Sequence, residues 1–250
     1  MLLVDVHAHL DHCKFNDLDL VIERARKADV KAIINNGINT EKNRISLELS
    51  KKYDIVKAAL GLYPTEVAEM KDDKIENELE FIKKNKNKII AIGEIGLDYN
   101  FYKDKNKIKK QKIVFEKIID LAEKIKKPLI VHSRKAEKDV INILESSKSK
   151  KIVLHCFSGN FNLVKKASEL DYYFSIPTNV VFSEHFQKIV EEVNINQLLT
   201  ETDSPHLSPF KHKRNEPAFI IEGVKKIAKI KGFDLEETSN NIFMNFEKMF

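Results

Sequence analysis

The sequence predicts an α/β fold, a (β/α)8 TIM-like barrel. Three observations favour this fold class: a length of 250 residues, eight short apolar runs that alternate with amphipathic stretches, and polar residues at the ends of those runs. A chain of this length can bury one core without dividing, so we expect a single barrel domain over residues 1–250. A doubly wound open sheet is the alternative, because a single sequence does not show strand order.

The eight strand candidates are rich in Val, Ile or Leu, and each is short enough for a parallel strand buried on both faces. They lie near Leu2 to Ala8, Ala32 to Asn35, Ile55 to Leu60, Ile89 to Gly93, Leu129 to His132, Ile152 to His155, Tyr172 to Ile176 and Leu198 to Thr200. The segments between the strand candidates have apolar residues at helical spacing, for example Leu18 to Ala28, Thr40 to Lys52, Ile108 to Ile125, Ala136 to Glu145 and Phe182 to Val193. After the last strand, Pro217 suits the first turn of one helix, and Asp234 can cap another over Leu235 to Met249.

Composition excludes several classes of protein. No run of about 18 uncharged apolar residues is present, which excludes a transmembrane protein. The first residues lack the basic segment and apolar core of a secretion signal, and a charged residue already stands at Asp5. We therefore expect a cytoplasmic protein. Cys13 and Cys156 are too few for a disulfide scaffold. The net charge of +5 favours an anionic partner without identifying it, and no obligate protein partner is inferred.

The first strand ends in a pair of histidines. In VDVHAH, the alternation of side chains along a strand puts Asp5, His7 and His9 on one face. Two imidazoles on one face can bind a single metal ion, because each offers a neutral nitrogen near neutral pH. The alternative is two partly exposed histidines that simply end a strand.

Four later strands end in further candidate ligands. Glu94 follows the apolar run of the fourth strand, where a buried carboxylate could bridge two cations or, alternatively, cap a helix or pair with a lysine. His132 and His155 end the fifth and sixth strands, and Asp203 lies just beyond the eighth, where it could otherwise begin a turn. Closure of a barrel would bring these side chains to the first-strand histidines, which together supply enough nitrogen and oxygen ligands for two divalent ions.

Six ordered motifs cover nearly the whole chain. They are DVHAHLD at 5–11, GEIGLDY at 93–99, PLIVHSR at 128–134, HCFSG at 155–159, ETDSP at 201–205 and RNEP at 214–217. In these motifs the chain resembles the TatD-type metal-dependent hydrolases of the amidohydrolase-like barrel superfamily. That family includes deoxyribonucleases, some with 3′ to 5′ exonuclease activity on single strands. The resemblance therefore implies a hydrolase that cleaves phosphodiester bonds of DNA.

The resemblance also implies a role for each candidate ligand. His7, His9 and Asp203 are implied to bind one divalent ion, Glu94 to bridge, and His132 and His155 to complete the second site. The mixture of histidine and carboxylate ligands suits Zn, Mn or Mg to different degrees. In the expected mechanism, the paired ions generate hydroxide that attacks phosphorus, and Asp203 is the candidate proton acceptor.

Three further residues are candidate substrate contacts. Arg134, Arg214 and Asn215 lie in loops on the predicted rim, where a guanidinium can hold a phosphate through two hydrogen bonds. Arg214 and Asn215 belong to the RNEP motif, which favours this interpretation. Ordinary solvated arginines are the alternative.

The chain departs from the family's pattern after the third strand. Many relatives have a His-Pro-His type sequence there, whereas this chain has Tyr63-Pro64-Thr65. Neither Tyr63 nor Thr65 is among the six implied ligands, so the change is compatible with metal binding. The loss of two imidazoles bears on proton transfer and on contact with the leaving group.

Two other functions stay open at the level of sequence. Paired ions can also activate water for attack on carbonyl carbon, which would make the protein a hydrolase of a small amide, ester or aminoacyl substrate. The other candidate is a nucleic-acid or protein binding module with decayed catalysis, suggested by the two missing histidines. This one ranks last, because a decayed site has no chemical need for all six ligands.

Overall fold

Eight parallel strands form the centre of the protein, and the computed structural model describes all 250 residues. The strands are β1 Leu3–Ala8, β2 Val30–Asn36, β3 Val56–Leu60, β4 Ala91–Gly96, β5 Leu129–His132, β6 Ile152–His155, β7 Tyr173–Pro177 and β8 Leu198–Glu201. Each strand pairs in parallel with the next one along the chain, from β1 to β8. This order confirms the predicted (β/α)8 barrel and excludes the doubly wound sheet, in which the strand order reverses.

Ten helices connect and surround the strands. They are α1 Leu18–Lys27, α2 Thr40–Lys52, α3 Pro64–Glu69, α4 Asp72–Lys84, α5 Lys105–Ile125, α6 Glu137–Glu145, α7 Phe161–Glu169, α8 Glu184–Glu192, α9 Ile220–Lys231 and α10 Leu235–Met249. Pro217 begins a short 3-10 helix, Pro217–Phe219, which leads directly into α9. None of the helices is long and apolar enough to cross a membrane.

The core lies between the strands and the helices and inside the barrel. All six residues of β1 and all six of β4 are buried, because helices cover the outer face of each strand and other strands' side chains cover the inner face. At the end of β4, Gly96 has a φ of +136°, and a Cβ there would lie 2.0 Å from the carbonyl oxygen of His132. Glycine therefore allows β4 and β5 to approach closely beside one of the predicted ligands.

Side chains join β1 to β8 and close the barrel. The hydroxyl of Thr200 donates to the carbonyl of Val4 at 2.7 Å. The carboxylate of Asp5 is fully buried and accepts from the backbone N–H and the hydroxyl of Thr202, at 2.9 and 2.6 Å. Asp5 thus stabilises the junction between the first and last strands and does not reach the mouth of the barrel.

Two backbone hydrogen bonds fix the ends of these strands against each other. The N–H of Asp203 donates to the carbonyl of His7 at 2.8 Å, and the N–H of His9 donates to the carbonyl of Ser204 at 2.9 Å. They place three of the predicted ligands side by side although nearly 200 positions separate them in the sequence.

Candidate metal centre

The carboxylate of Glu94 lies between two pairs of histidines at the carboxyl ends of the strands. Its Oε2 atom is 3.4 Å from Nε2 of His7 and 3.5 Å from Nε2 of His9. Its Oε1 atom is 3.0 Å from Nδ1 of His132 and 3.8 Å from Nε2 of His155. Each carboxylate oxygen therefore faces one pair of imidazoles, which is the arrangement expected of a carboxylate that bridges two cations.

Asp203 completes the first of these two groups. Its Oδ1 atom lies 3.5 Å from Nε2 of His9 and 3.9 Å from Nε2 of His7. The ligand atoms of His7, His9 and Glu94 lie within 4.8 Å of one another, and the same is true of Glu94, His132 and His155. The structure thus brings together all six residues that the sequence predicts as ligands.

The partners of two imidazoles determine which ring nitrogen points into the centre. Nδ1 of His9 faces the carbonyl oxygen of Asn36 at 3.2 Å, and Nδ1 of His155 faces Oε2 of Glu201 at 2.8 Å. These oxygens only accept hydrogen bonds, so each Nδ1 carries a proton and Nε2 is left to bind. Glu201 also accepts from the hydroxyl of Ser175 at 2.5 Å, so this buried carboxylate orients His155.

The donor set fits divalent cations. With Nδ1 protonated, Nε2 of His9 and of His155 offers a lone pair toward Glu94, whose oxygens also offer lone pairs. Such pairs of acceptors attract each other only through a shared proton or a cation. Burial opposes protonation of His155, but the charge and hydrogen bond of Glu201 outweigh it and raise the pKa of His155 to about 10. That proton occupies the place that a cation would fill.

Burial and neighbouring charges act on the other ligands in different directions. Burial lowers the pKa of His7 well below its usual range, so its ring is neutral. Burial alone would raise the pKa of Glu94, but the interactions of its carboxylate with His7 and His132 hold it well below the usual range. Burial raises the pKa of Asp203 to about 6. Glu94 is therefore ionised and His7 neutral, which are the protonation states that bind metal, whereas His155 must lose a proton when a cation binds.

Five of the six ligands form the floor of an open cavity of about 600 Å³, and the sixth, His7, is fully buried. Its walls include two positively charged side chains, Lys42 and Arg134. The guanidinium of Arg134 lies 5.6 Å from the ring of Phe101, which is 61% exposed. The other wall residues are Asp11, His12, Cys13, Ile38, Tyr63 and His206. The cavity thus offers cationic and aromatic groups to a substrate above the six ligands.

A sequence profile of the family described as TatD related DNase matches residues 4–250. The chain belongs to the TatD family. It is 42% identical to MJ1582 of Methanocaldococcus jannaschii, an uncharacterized metal-dependent hydrolase, over 99% of this chain and 96% of that protein. It is 33% identical to Deoxyribonuclease TATDN3 of Homo sapiens, over 99% and 94% of the two chains.

Solved structures agree with this assignment at the level of the fold. The crystal structure of YJJV, a TatD homologue of Escherichia coli K12, matches with a TM-score of 0.91 and 24% identity, over 99% of this chain and 97% of that one. The hydrolase TatD family protein of Entamoeba histolytica matches with a TM-score of 0.89 and 23% identity, over 99% and 97%. The sequence relatives add the class of chemistry, so the chain is a metal-dependent hydrolase of the TatD family.

Arg214 does not reach the cavity of this TatD-family protein. Its guanidinium donates to both carboxylate oxygens of Asp17, at 2.6 and 3.0 Å, and to the carbonyl of Lys14 at 2.7 Å. It also lies 4.7 Å from the ring of Phe15. These contacts tie the loop after β8 to the loop before α1, which is a structural role and gives no support to the predicted contact with substrate.

Asn215 is likewise turned away from the cavity. It is fully buried, and its amide nitrogen donates to the carbonyl of Thr202 at 2.7 Å and to the hydroxyl of Thr178 at 2.9 Å. Of the three predicted substrate contacts, only Arg134 lines the cavity. The RNEP motif of this TatD-family protein therefore supports the loops around the site.

Lys42 is a cavity residue that the sequence reasoning missed. It lies in the first turn of α2, and its ammonium donates to the carbonyl of Asp11 at 3.0 Å and lies 3.3 Å from the carboxylate of that residue. Its position in the sequence could have identified Lys42 as a cavity residue, because the first turn of each helix in such a barrel follows the carboxyl end of a strand.

Proposed function

We propose that this TatD-family protein is a deoxyribonuclease that hydrolyses phosphodiester bonds with two divalent cations bound. The observation that carries the proposal is the position of Glu94, whose two oxygens each face one pair of histidines at the floor of an open cavity. The similarity to the human protein named Deoxyribonuclease TATDN3 supports DNA as the substrate.

In this proposal, His7, His9 and Asp203 hold one cation, His132 and His155 hold the other, and Glu94 bridges them. The chemistry that such cations supply when bound is the acidification of water and the neutralisation of charge on phosphate oxygens. Four imidazoles among six ligands favour Zn²⁺ or Mn²⁺ over Mg²⁺, which prefers oxygen ligands.

Other side chains bind the substrate and move the proton. The side chain of Asp203 is 18% exposed and lies in the cavity lining, where it accepts a proton from the attacking water. The guanidinium of Arg134, on the cavity wall, binds a phosphate by two parallel hydrogen bonds. Lys42 adds a second cationic group to the cavity wall, where its ammonium lies 3.3 Å from the carboxylate of Asp11.

Exposed aromatic residues favour an unpaired strand. Phe101, Phe182 and Phe210 are 61%, 56% and 38% exposed, and they lie on the loops that follow β4, β7 and β8. These loops are at the same end of the barrel as the ligands, and exposed aromatic rings there can stack on bases that are not paired.

The test is the hydrolysis of end-labelled single-stranded DNA by protein stripped with a chelator, with Zn²⁺, Mn²⁺ or Mg²⁺ restored in separate reactions. We expect cleavage that needs an added cation and that falls at least about 100-fold in Glu94→Gln, because the bridging charge is lost. Glu247→Gln is the matched control, since Glu247 is exposed on α10 far along the chain from every ligand.

Cleavage that persists in Glu94→Gln would indicate a contaminating nuclease and overturn the proposal. Binding of two cations without cleavage of DNA would also overturn it. That result would favour the alternative hydrolase, whose substrates are small amides, esters or aminoacyl conjugates.

A further inference from the structure

Two carboxylates hold the ring of His132, one at each nitrogen. Nδ1 lies 3.0 Å from Oε1 of Glu94, and Nε2 lies 3.1 Å from Oδ2 of Asp98. The hydroxyl of Tyr63 is 3.0 Å from the same oxygen of Asp98 and 3.1 Å from Nε2 of His132. The three polar atoms of Tyr63, Asp98 and His132 therefore form a closed triangle whose sides are all of hydrogen-bond length.

Asp98 is a fixed acceptor in this triangle. It is fully buried, and its Oδ1 atom accepts from the backbone N–H of Asn100 at 2.8 Å. The amide of Gln111 bonds both the N–H and the carbonyl of Asp98, at 2.9 and 3.1 Å. The carboxylate therefore has no freedom to turn away, and Oδ2 is directed at Tyr63 and His132.

The donors and acceptors of the triangle can be matched in one way. A carboxylate oxygen only accepts, so the hydroxyl of Tyr63 donates to Asp98 and the Nε2–H group of His132 donates to the same oxygen. With the proton on Nε2 held by Asp98, Nδ1 is the ring nitrogen available to a cation, and it points at Glu94. His132 thus has the opposite tautomer to His9 and His155, whose Nδ1 atoms carry the proton.

We propose that Tyr63 and Asp98 are positioning residues that fix the tautomer and ring orientation of His132 and so set the affinity of the cation held by His132 and His155. The inference rests on the two-cation centre of the proposed function. It gives Tyr63 a role at the place where the sequence departs from the His-Pro-His pattern of many relatives. The hydroxyl acts through Asp98, because it donates to the carboxylate oxygen that also accepts from Nε2 of His132.

The first measurement is the affinity of the stripped full-length chain for two equivalents of Zn²⁺, by competition with a chromophoric chelator. We expect Asp98→Asn to weaken one of the two sites by about 10–100-fold, the usual effect of losing such a partner. Tyr63→Phe is expected to weaken the same site by about 10-fold, since Asp98 stays in place. The matched control is Tyr99→Phe, because the hydroxyl of Tyr99 donates to Asp139 at 2.8 Å and touches no ligand.

The second measurement is independent of any variant and keeps the inference testable if Asp98→Asn fails to fold. Long-range ¹H–¹⁵N spectra of the Zn²⁺-loaded wild-type protein report which nitrogen of each histidine carries a proton. We expect a proton on Nε2 of His132 and on Nδ1 of His9 and His155. A proton on Nδ1 of His132, or unchanged Zn²⁺ affinity in both variants, overturns the inference.

Neither measurement uses DNA, so the two proposals fail separately. If the tautomers and affinities are as expected but DNA stays intact, only the deoxyribonuclease is overturned. If DNA is cleaved but both variants bind Zn²⁺ as the wild type does, only the role of Tyr63 and Asp98 is overturned.

Discussion

Arg214→Ala separates a structural role of this residue from a role in binding substrate. The substitution removes two hydrogen bonds to the carboxylate of Asp17, one to the carbonyl of Lys14, and the contact with the ring of Phe15. The two charged side chains are 26% and 29% exposed, so solvent weakens their attraction without abolishing it. We expect the free energy of unfolding to fall by about 1–2 kcal/mol.

Thermal unfolding and DNA cleavage provide the assay. For a chain of this size, the expected loss lowers Tm by about 2–8 °C. KM for single-stranded DNA should stay within about twofold of the wild-type value, because Arg214 is outside the cavity lining. Arg214→Lys should lose part of the stability, since an ammonium cannot donate to both oxygens in the same planar geometry.

Unchanged stability combined with a large rise in KM would refute this reasoning and would support the predicted contact between Arg214 and the substrate. A double-mutant cycle with Asp17→Asn provides the control. If the two residues act through each other, the combined loss of stability is smaller than the sum of the single losses.

Three further predictions concern the stability of the fold. Gly96→Ala should lower the free energy of unfolding by at least about 3 kcal/mol in denaturant titrations, because the new Cβ would lie 2.0 Å from a carbonyl oxygen at a φ of +136°; wild-type stability would show that β4 and β5 can separate. The hydrogen bond from Arg214 holds the pKa of Asp17 below its ordinary 3.8, so this pair stabilises the fold at pH values above about 4 and the contribution is lost as the pH falls. Unfolding followed by circular dichroism should therefore show less acid sensitivity in Asp17→Asn than in the wild type, and equal sensitivity would contradict the assignment. Removal of bound cations with a chelator should lower Tm, since ligand at about 100 times its Kd stabilises a protein by about 2.7 kcal/mol; an unchanged Tm would mean that no cation binds the folded state.

The strands and the ligands at their ends could be predicted because both follow from local patterns. The predicted strands Leu129 to His132 and Ile152 to His155 have the observed bounds. The fourth strand was predicted over Ile89 to Gly93 but runs over Ala91–Gly96. Its apolar residues begin before the strand does, and its two glycines weaken the pattern at the other end. The helices α3 and α4, which share one connection, were not predicted individually.

The partners of the site residues could not be predicted from the sequence. The RNEP motif places Arg214 and Asn215 next to each other in the sequence but does not show which way their side chains turn, and Asp17 is 197 positions from Arg214. Asp98 belongs to the GEIGLDY motif, yet its contact with His132 depends on the packing of β4 against β5. The spacing of residues along one strand predicts which side chains share a face. The residue that contacts the second nitrogen of a histidine ring comes from a neighbouring strand, and spacing does not predict it.

Closure of the barrel between β1 and β8 has a consequence for the synthesis of the protein. His7 and His9 leave the ribosome early, whereas β8, which lies beside β1, and Asp203 are made only after about four fifths of the chain. Ser239 on α10 then bonds both the N–H and the carbonyl of Leu2, at 3.0 and 2.8 Å, and holds the start of the chain against its end. A chain that stops before Asp203 therefore lacks one of the six proposed ligands, and the proposed centre is complete only when β8 lies beside β1.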